Sequence, residues 1–297
     1  MQISPAFAAS SFLLLAACQS TTPAAPPPAP PFATPAADRI DGDAFRLRGA
    51  LSQGGYAVGE APAGTASVIL DGTPVPLDAQ RRFAIGFGRD APAAATLAAM
   101  LADGSRVIAH LVIARRGYDV QSIPGLPPTP TTDPAWLKMR AAERARIDTA
   151  RAQRNLSDGW RQQWIWPATG PVSGVYGSQR ILGGVPQSPH YGVDIASSPG
   201  TPVVAPADGV VVLAGPPQFS LEGNLVIIDH GMGVNSAYLH LSAVDVKPGD
   251  HVRQGQRIGA IGGTGRATGP HLHWGVSWRD VRLDPALLAG AMTGAVP

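Results

Sequence analysis

Glycine and proline impose the tightest constraint on what this chain can become. From about residue 161 onward they interrupt it every few positions, leaving short runs rich in Val and Ile: TPVVAPADGVVVLAG, GNLVIIDHG, GVNSAYLHLS, HVRQGQRIGAIG and GPHLHWGVSW. Such runs are too short for ordinary helices, and β-branched residues bounded by turn formers favour strands. A compact barrel or sandwich of short strands is expected there. With 35 glycines, 30 prolines and only 15% charged residues in 297, the argument extends to most of the molecule, so the fold class is mainly β.

Residues 38–118 read as a smaller β domain. FRLRGALSQGGYAVGEAP, ASVILDGTPVPLD, RRFAIGFGRD and RVIAHLVIARRGYDV show apolar alternation broken by Gly and Asp-Gly turn signals, which fits a sandwich of seven or eight strands. His110 stands alone in an apolar strand and is read as structural. Residues 119–160 form a linker: the proline-rich SIPGLPPTPTTDP, then the one strong helical stretch, with Asp133 as N-cap before Pro134 at the first helical position. This Ala/Arg/Glu-rich helix is read as solvated. Its arginines do not amount to a nucleic-acid face, because a net charge of +2 and scattered arginines make no basic stripe. Trp160, Trp164 and Trp166 then begin a new hydrophobic unit, residues 161–297.

A single cysteine excludes an intramolecular disulfide and a Cys-rich zinc knuckle. Cys18 follows Leu15, Ala16 and Ala17 in SFLLLAACQS, which resembles a bacterial lipoprotein signal with its lipobox. The resemblance implies a signal peptide over residues 1–17 and a lipid-modified Cys18 as membrane anchor. Residues 18–37 are a Pro/Ala-rich tether with no means of building a core. In a polyproline-like state, at about 3.1 Å per residue, it would reach on the order of 60 Å. Gln19 stands where an inner-membrane retention signal carries Asp, so outer-membrane placement facing the periplasm is expected. The apolar run is shorter than the ~20 residues a transmembrane helix needs.

Six of the seven histidines lie beyond residue 160. His190 and Asp194 stand in SPHYGVDIASSPG, where Gly192 and Pro199 argue for an extended segment whose residues i and i+4 share a face. His271 and His273 in GPHLHWGV occupy alternate strand positions and so point together. An imidazole, a carboxylate and one nitrogen from H-x-H make three protein ligands and leave a fourth position open, the arrangement of a catalytic zinc site. The other H-x-H histidine and His240 in AYLHLS are then left to move protons.

HYGVDIASSPGTPVVAPADGVVVLAG, GNLVIIDHGMGVNSAYLHLS and VKPGDHVRQGQRIGAIGGTGRATGPHLHWGV together resemble the LytM-type, lysostaphin-like zinc metallopeptidases of family M23, from about residue 166 to 285. The resemblance implies a β barrel or sandwich of the duplicated hybrid kind. It implies that His190, Asp194 and His273 hold Zn2+ and that His240 and His271 are catalytic. It implies bacterial peptidoglycan as substrate, in the cell envelope. Together with an outer-membrane-type signal, it implies cleavage of the D-Ala to meso-diaminopimelate cross-link by a DD-endopeptidase.

Some LytM-type domains have lost ligands and only activate other wall hydrolases, and others are held inactive by their own N-terminal parts. A non-catalytic or autoinhibited activator is therefore the alternative, and the five filled positions favour the enzyme. Partner proteins in wall remodelling are not legible. His230 in IIDHG is expected to be a turn-associated structural residue and His251 in GDHV to be exposed. No H-E-x-x-H occurs, GGTGRATG lacks the lysine of a phosphate loop, and Lys247 is misplaced for a biotinyl-type carrier.

Overall fold

The computed structural model describes residues 38–123, 133–182 and 185–292. The lipobox, Cys18 and the tether lie outside the described residues. The fold is mainly β throughout, as its composition requires.

Two sheets face each other in the first part. One runs Arg39–Ile40, Arg106–Val112, Ala94–Leu101, Thr65–Leu70, Thr73–Val75; the other runs Arg48–Gly49, Tyr56–Glu60, Arg82–Gly86. These eight strands make the expected sandwich. Alternation does the work: along Ala94–Leu101 buried and exposed residues alternate, and the inward set of Leu97, Val68, Ile85 and Val107 meets Phe45 and Phe83, whose rings pack edge to face at 6.2 Å. The Asp-Gly signal is a tight hairpin turn, with positive φ at both Asp71 and Gly72 joining Thr65–Leu70 to Thr73–Val75. His110 departs from expectation. It sits on the outward face of Arg106–Val112 opposite Thr96 and is exposed, because the strand packs on one face only, through Val107, Ala109 and Leu111.

The segment expected to be a linker is structured at both ends. Val120–Ile123 pairs in parallel with Gln179–Leu182, which pairs antiparallel with Val185–Pro186. The helix spans Pro134–Ala152, capped by Asp133, whose carboxylate accepts from Ala135 N–H at 2.9 Å. It is not solvated all round. Ile147 and Ala150 are buried against Leu213, Leu225, Ile227 and Ala237, since even a sparse i, i+3 apolar pair suffices to seat a helix on an apolar sheet face.

The second part is an eight-stranded antiparallel sheet in the order Val172–Gly174, Val193–Ala196, His271–Trp278, Val234–Leu241, Asn224–Asp229, Gly209–Leu213, His251–Val252, with Val281–Leu283 also pairing His271–Trp278. A three-stranded sheet, Pro202–Val204, Arg257–Ala260 and Ala243–Val244, packs with it. One face carries Val226, Ile228, Tyr238, Trp274 and Val276 into an apolar core joined by Trp160, Trp164 and Trp166. That core is continuous with the sandwich interior. At the junction, a Cβ on Gly86 would come within 2.8 Å of Leu283, and Tyr56 Oη donates to the Trp160 carbonyl at 2.7 Å.

Candidate metal centre

The opposite face of the same sheet gathers the histidines. Asp194 on Val193–Ala196 lies directly across from His273 on His271–Trp278, and His273 lies across from Leu239 on Val234–Leu241. Strand periodicity therefore puts Asp194 and His273 side by side, with His271 two residues along on the same face. His190 arrives differently from the shared-face argument. The strand begins only at Val193, and the loop before it is held by Gly177 N–H donating to the His190 carbonyl at 2.7 Å and His190 N–H donating to the Ser178 carbonyl at 2.9 Å.

Three donor atoms converge. His190 Nε2, Asp194 Oδ1 and His273 Nδ1 form a triangle with sides of 2.9, 2.9 and 2.8 Å. These three residues form a group able to hold a metal ion. Chemistry supports that reading. His190 Nδ1 lies 3.1 Å from the Val175 carbonyl, which can only accept, so Nδ1 carries the hydrogen and neutral His190 turns a bare Nε2 lone pair inward. Two nitrogens and a carboxylate oxygen at such distances need a shared positive charge between them. Ligand atoms about 2.0–2.1 Å from a tetrahedral zinc lie roughly 3.3 Å apart, so a small outward relaxation of the triangle accommodates the ion. The carbonyl behind His190 is the kind of partner that fixes the tautomer of a metal-binding imidazole. Burial alone would raise the Asp194 carboxyl, but when the facing nitrogens of His190 and His273 carry hydrogens, as they can without a metal, their hydrogen bonds and positive charge outweigh burial and hold the group well below the usual carboxylate range.

Two more imidazoles border the triangle. His271 Nε2 is 3.9 Å from Asp194 Oδ1, and the His240 ring centroid is 4.8 Å from that of His271 and 6.4 Å from that of His273. Each is oriented the same way: His240 Nδ1 donates to the Thr264 carbonyl and His271 Nδ1 to the Gly269 carbonyl, both at 2.8 Å. Both Nε2 atoms are thereby left as the free proton-accepting positions. Burial pushes His240 down to about 4, so it is neutral near pH 7. The side chains of His271 and His273 are only 15% and 16% exposed, enough for a ligand to approach from solvent.

The five histidine and aspartate positions singled out by motif are thus brought together, and the remaining histidines are not. His230 is fully buried, with Nδ1 donating to the Asp208 carbonyl and Nε2 accepting from Ser236 Oγ, both at 2.7 Å, against the Trp164 ring. His251 is exposed on an edge strand.

Motif reading missed the residues that hold His240. Its backbone sits in the left-handed region, φ 64°, and its N–H donates to the Glu222 carbonyl at 2.9 Å. The Glu222 carboxylate is gripped by Arg140, which also binds Glu143, and Glu143 accepts from Ser220 N–H and Oγ at 2.6 Å each. Arg146 lies over Phe219 at 4.3 Å. The helix therefore clamps the loop that shapes His240. An Arg and a Glu three residues apart on a charged helix give no sign of this in sequence.

An antiparallel β fold with an open His-Asp-His triangle and two further histidines beside it defines a class of mononuclear metallopeptidase. The profile of Peptidase family M23 matches residues 188–285. A crystal structure of an M23 peptidase from Pseudomonas aeruginosa aligns over 81% of this chain and 95% of its own, at 31% identity and a TM-score of 0.61. The chain belongs to family M23. Among curated relatives, peptidoglycan DD-endopeptidase ShyA of Vibrio cholerae is 51% identical over 110 residues, 37% of this chain and 25% of ShyA. DD-carboxypeptidase/endopeptidase Mpg of Neisseria meningitidis is 44% identical over 100 residues, 34% of this chain and 23% of Mpg. The chain spans about a quarter of the length of these relatives.

Proposed function

We propose that this protein is a zinc-dependent endopeptidase that hydrolyses peptide cross-links of bacterial peptidoglycan in the cell envelope. The observation that carries the reading is the complete site: three ligand atoms within hydrogen-bond distance of one another, and two histidines with their Nδ1 hydrogens committed to backbone carbonyls. The names of the relatives support the substrate class. Among the bonds in peptidoglycan, the D-Ala to meso-diaminopimelate cross-link is the proposed target.

His190, Asp194 and His273 would hold Zn2+, which when bound polarises a peptide carbonyl and acidifies water. The chain's own residues do the rest. His240, neutral near pH 7, accepts a proton from the attacking water at Nε2. His271 Nε2 lies beside Asp194, where a protonated imidazole donates a hydrogen bond to the developing oxyanion or passes its proton to the leaving amine. The two rings lie side by side, their centroids 4.8 Å apart, each with Nδ1 committed to a carbonyl, so either can take either role. Thr264 and Gly269 carbonyls fix both rings, so little reorganisation is needed during reaction.

The division into a sandwich over residues 38–118, a connecting region over 119–160 and a peptidase part over 161–297 belongs to this proposal, as do lipid anchoring at Cys18 and outer-membrane placement. The deciding experiment is digestion of purified cross-linked peptidoglycan by the protein, with and without a chelator, with products read by mass. Loss of cross-linked dimers that stops on chelation is expected. Intact dimers in the presence of stoichiometric zinc would overturn the enzymatic reading and favour an activator. Membrane retention of Cys18→Ser would overturn the anchor.

A further inference from the structure

The face that carries the metal ligands extends beyond them. Two same-face steps along the strand from His273, past Gly275 opposite Ala237, comes Ser277, flanked by Asn235 on one side and Arg282 on the other. At about 3.3 Å per residue this position is roughly 13 Å from His273. There the end of the helix, the turn after Trp278 and the edge of the sandwich near Asp71 enclose a cavity of about 680 Å³.

Four arginines and three aspartates line it. Two of the arginines are already engaged. Arg279 donates to the Pro74 carbonyl at 2.7 Å, and Arg154 donates to the carbonyls of Arg151 and Gln153 at 2.8 Å. Arg151 and Arg282 are different: among the described residues no ion pair joins either guanidinium to Asp148 or Asp280, and Arg151 Nε is buried with no hydrogen-bond partner. At the same register position, both Oδ1 and Nδ2 of Asn235, 2% exposed, are also without partners among the described residues. Burial disfavours charge on both arginines, and Arg282 adds repulsion on Arg151; Asp148 and Glu222 act on both, and Asp280 on Arg282, but without outweighing burial. Guanidinium groups nonetheless stay protonated in proteins, and a largely buried one with no direct ion pair and an unmet donor is short of the contacts its charge needs. A two-oxygen anion relieves both faults at once, because the planar guanidinium fork takes carboxylate or phosphate oxygens in pairs.

We propose that Arg151 and Arg282 form an oxyanion-binding pocket on the metal-bearing side of the sheet, taking a carboxylate or phosphate group between the two guanidinium forks. The pocket itself does not depend on the proposed function. Only one source of its ligand does: a carboxylate of a wall peptide. The other source is a free small anion.

The test uses the full zinc-loaded protein and its melting temperature in sodium sulfate against sodium chloride at equal ionic strength. A saturable rise of a few degrees in sulfate is expected, with apparent affinity at least tenfold weaker in Arg151→Gln and in Arg282→Gln. Identical sulfate responses in the parent and both variants overturn the pocket. A measurement without variants guards against misfolding: phenylglyoxal labelling mapped by mass should slow at Arg151 and Arg282 when sulfate is added, and unchanged labelling rates overturn the proposal equally. Sulfate is then competed with a muramyl peptide bearing free carboxylates and with its amidated form. Displacement by the free acid alone identifies the wall peptide as source, and displacement by neither identifies a free anion. Neither arm requires turnover, so a protein that binds sulfate here and cleaves nothing would refute the endopeptidase while leaving the pocket standing.

Discussion

The sandwich and the eight-stranded sheet bury different material. Inside the sandwich the described buried side chains are apolar, and its strands alternate, with one face packed and the other in water. Every described buried polar side chain lies from Glu143 onward, including Asp194, Asp229, His230, Asn235, Ser236, His240 and Ser277. Strand Gly209–Leu213 is buried along its whole length, since the helix covers the face that would otherwise be wet. A sheet covered on both sides can hold imidazoles and carboxylates in a low-dielectric setting, where hydrogen bonds orient them and shift their protonation. A sheet with one wet face offers packing and little else.

The sharpest way to test this contrast is at the metal triangle. Asp194→Ala, His190→Ala and His273→Ala should each reduce bound zinc to background and lower cleavage by more than about 10³-fold, as removal of a Lewis acid predicts. Metal analysis of the purified variants checks it, and full zinc content in all three would remove the assignment. His240→Ala and His271→Ala should keep zinc and lose about 10²–10⁴-fold in kcat, the usual range for a proton-transfer group. An active variant would strike that residue from the mechanism.

The sandwich should respond in stability alone. Phe83→Ala, deleting one of its fully buried rings, is expected to lower unfolding free energy by about 3–5 kcal/mol in a denaturant titration, with activity per folded molecule unchanged. A matching drop in activity per folded molecule would show that the two regions are coupled through their shared core. Acid should act mainly through the sheet. Burial lowers His230 from 6.5 to about 4, so between those values the unfolded chain binds a proton that the folded one refuses. Its contribution is fully present above pH 6.5 and is lost as pH falls towards 4. Denaturant titrations at pH 7 and pH 5 should differ by on the order of 2 kcal/mol from this group. The smallest effect belongs to His110→Ala, on the wet side of the sandwich, which should change stability by less than about 0.5 kcal/mol.

Local chemistry was the most readable part of the sequence. The Asp71-Gly72 turn, the Asp133 cap and the paired orientation of His271 and His273 each follow from rules that act within a few residues. What sequence concealed depends on contacts between distant segments. The helix carries only Ile147 and Ala150 as its buried apolar pair among charged neighbours, so its docking follows from the sheet beneath it rather than from its own pattern. His190 reaches Asp194 through backbone bonds to residues 177 and 178, and Glu143 reaches the His240 loop across 77 residues to Ser220. Neither link leaves a periodic trace. His110 misled because an apolar strand can still have one wet side.

Gly192 lies between the two ends of the H-x-x-x-D motif, pressed against the ring of His273. A Cβ there would fall 2.6 Å from both His273 Nε2 and the Trp274 carbonyl, a distance real side chains do not tolerate. The middle letter of the motif is therefore as constrained as its ends, though it binds nothing. A substitution such as Gly192→Ala would leave all three ligands in the sequence while pushing one of them out of place. A chain bearing the full ligand signature with a bulkier residue at this position should be set aside as a degenerate copy before any assay is run.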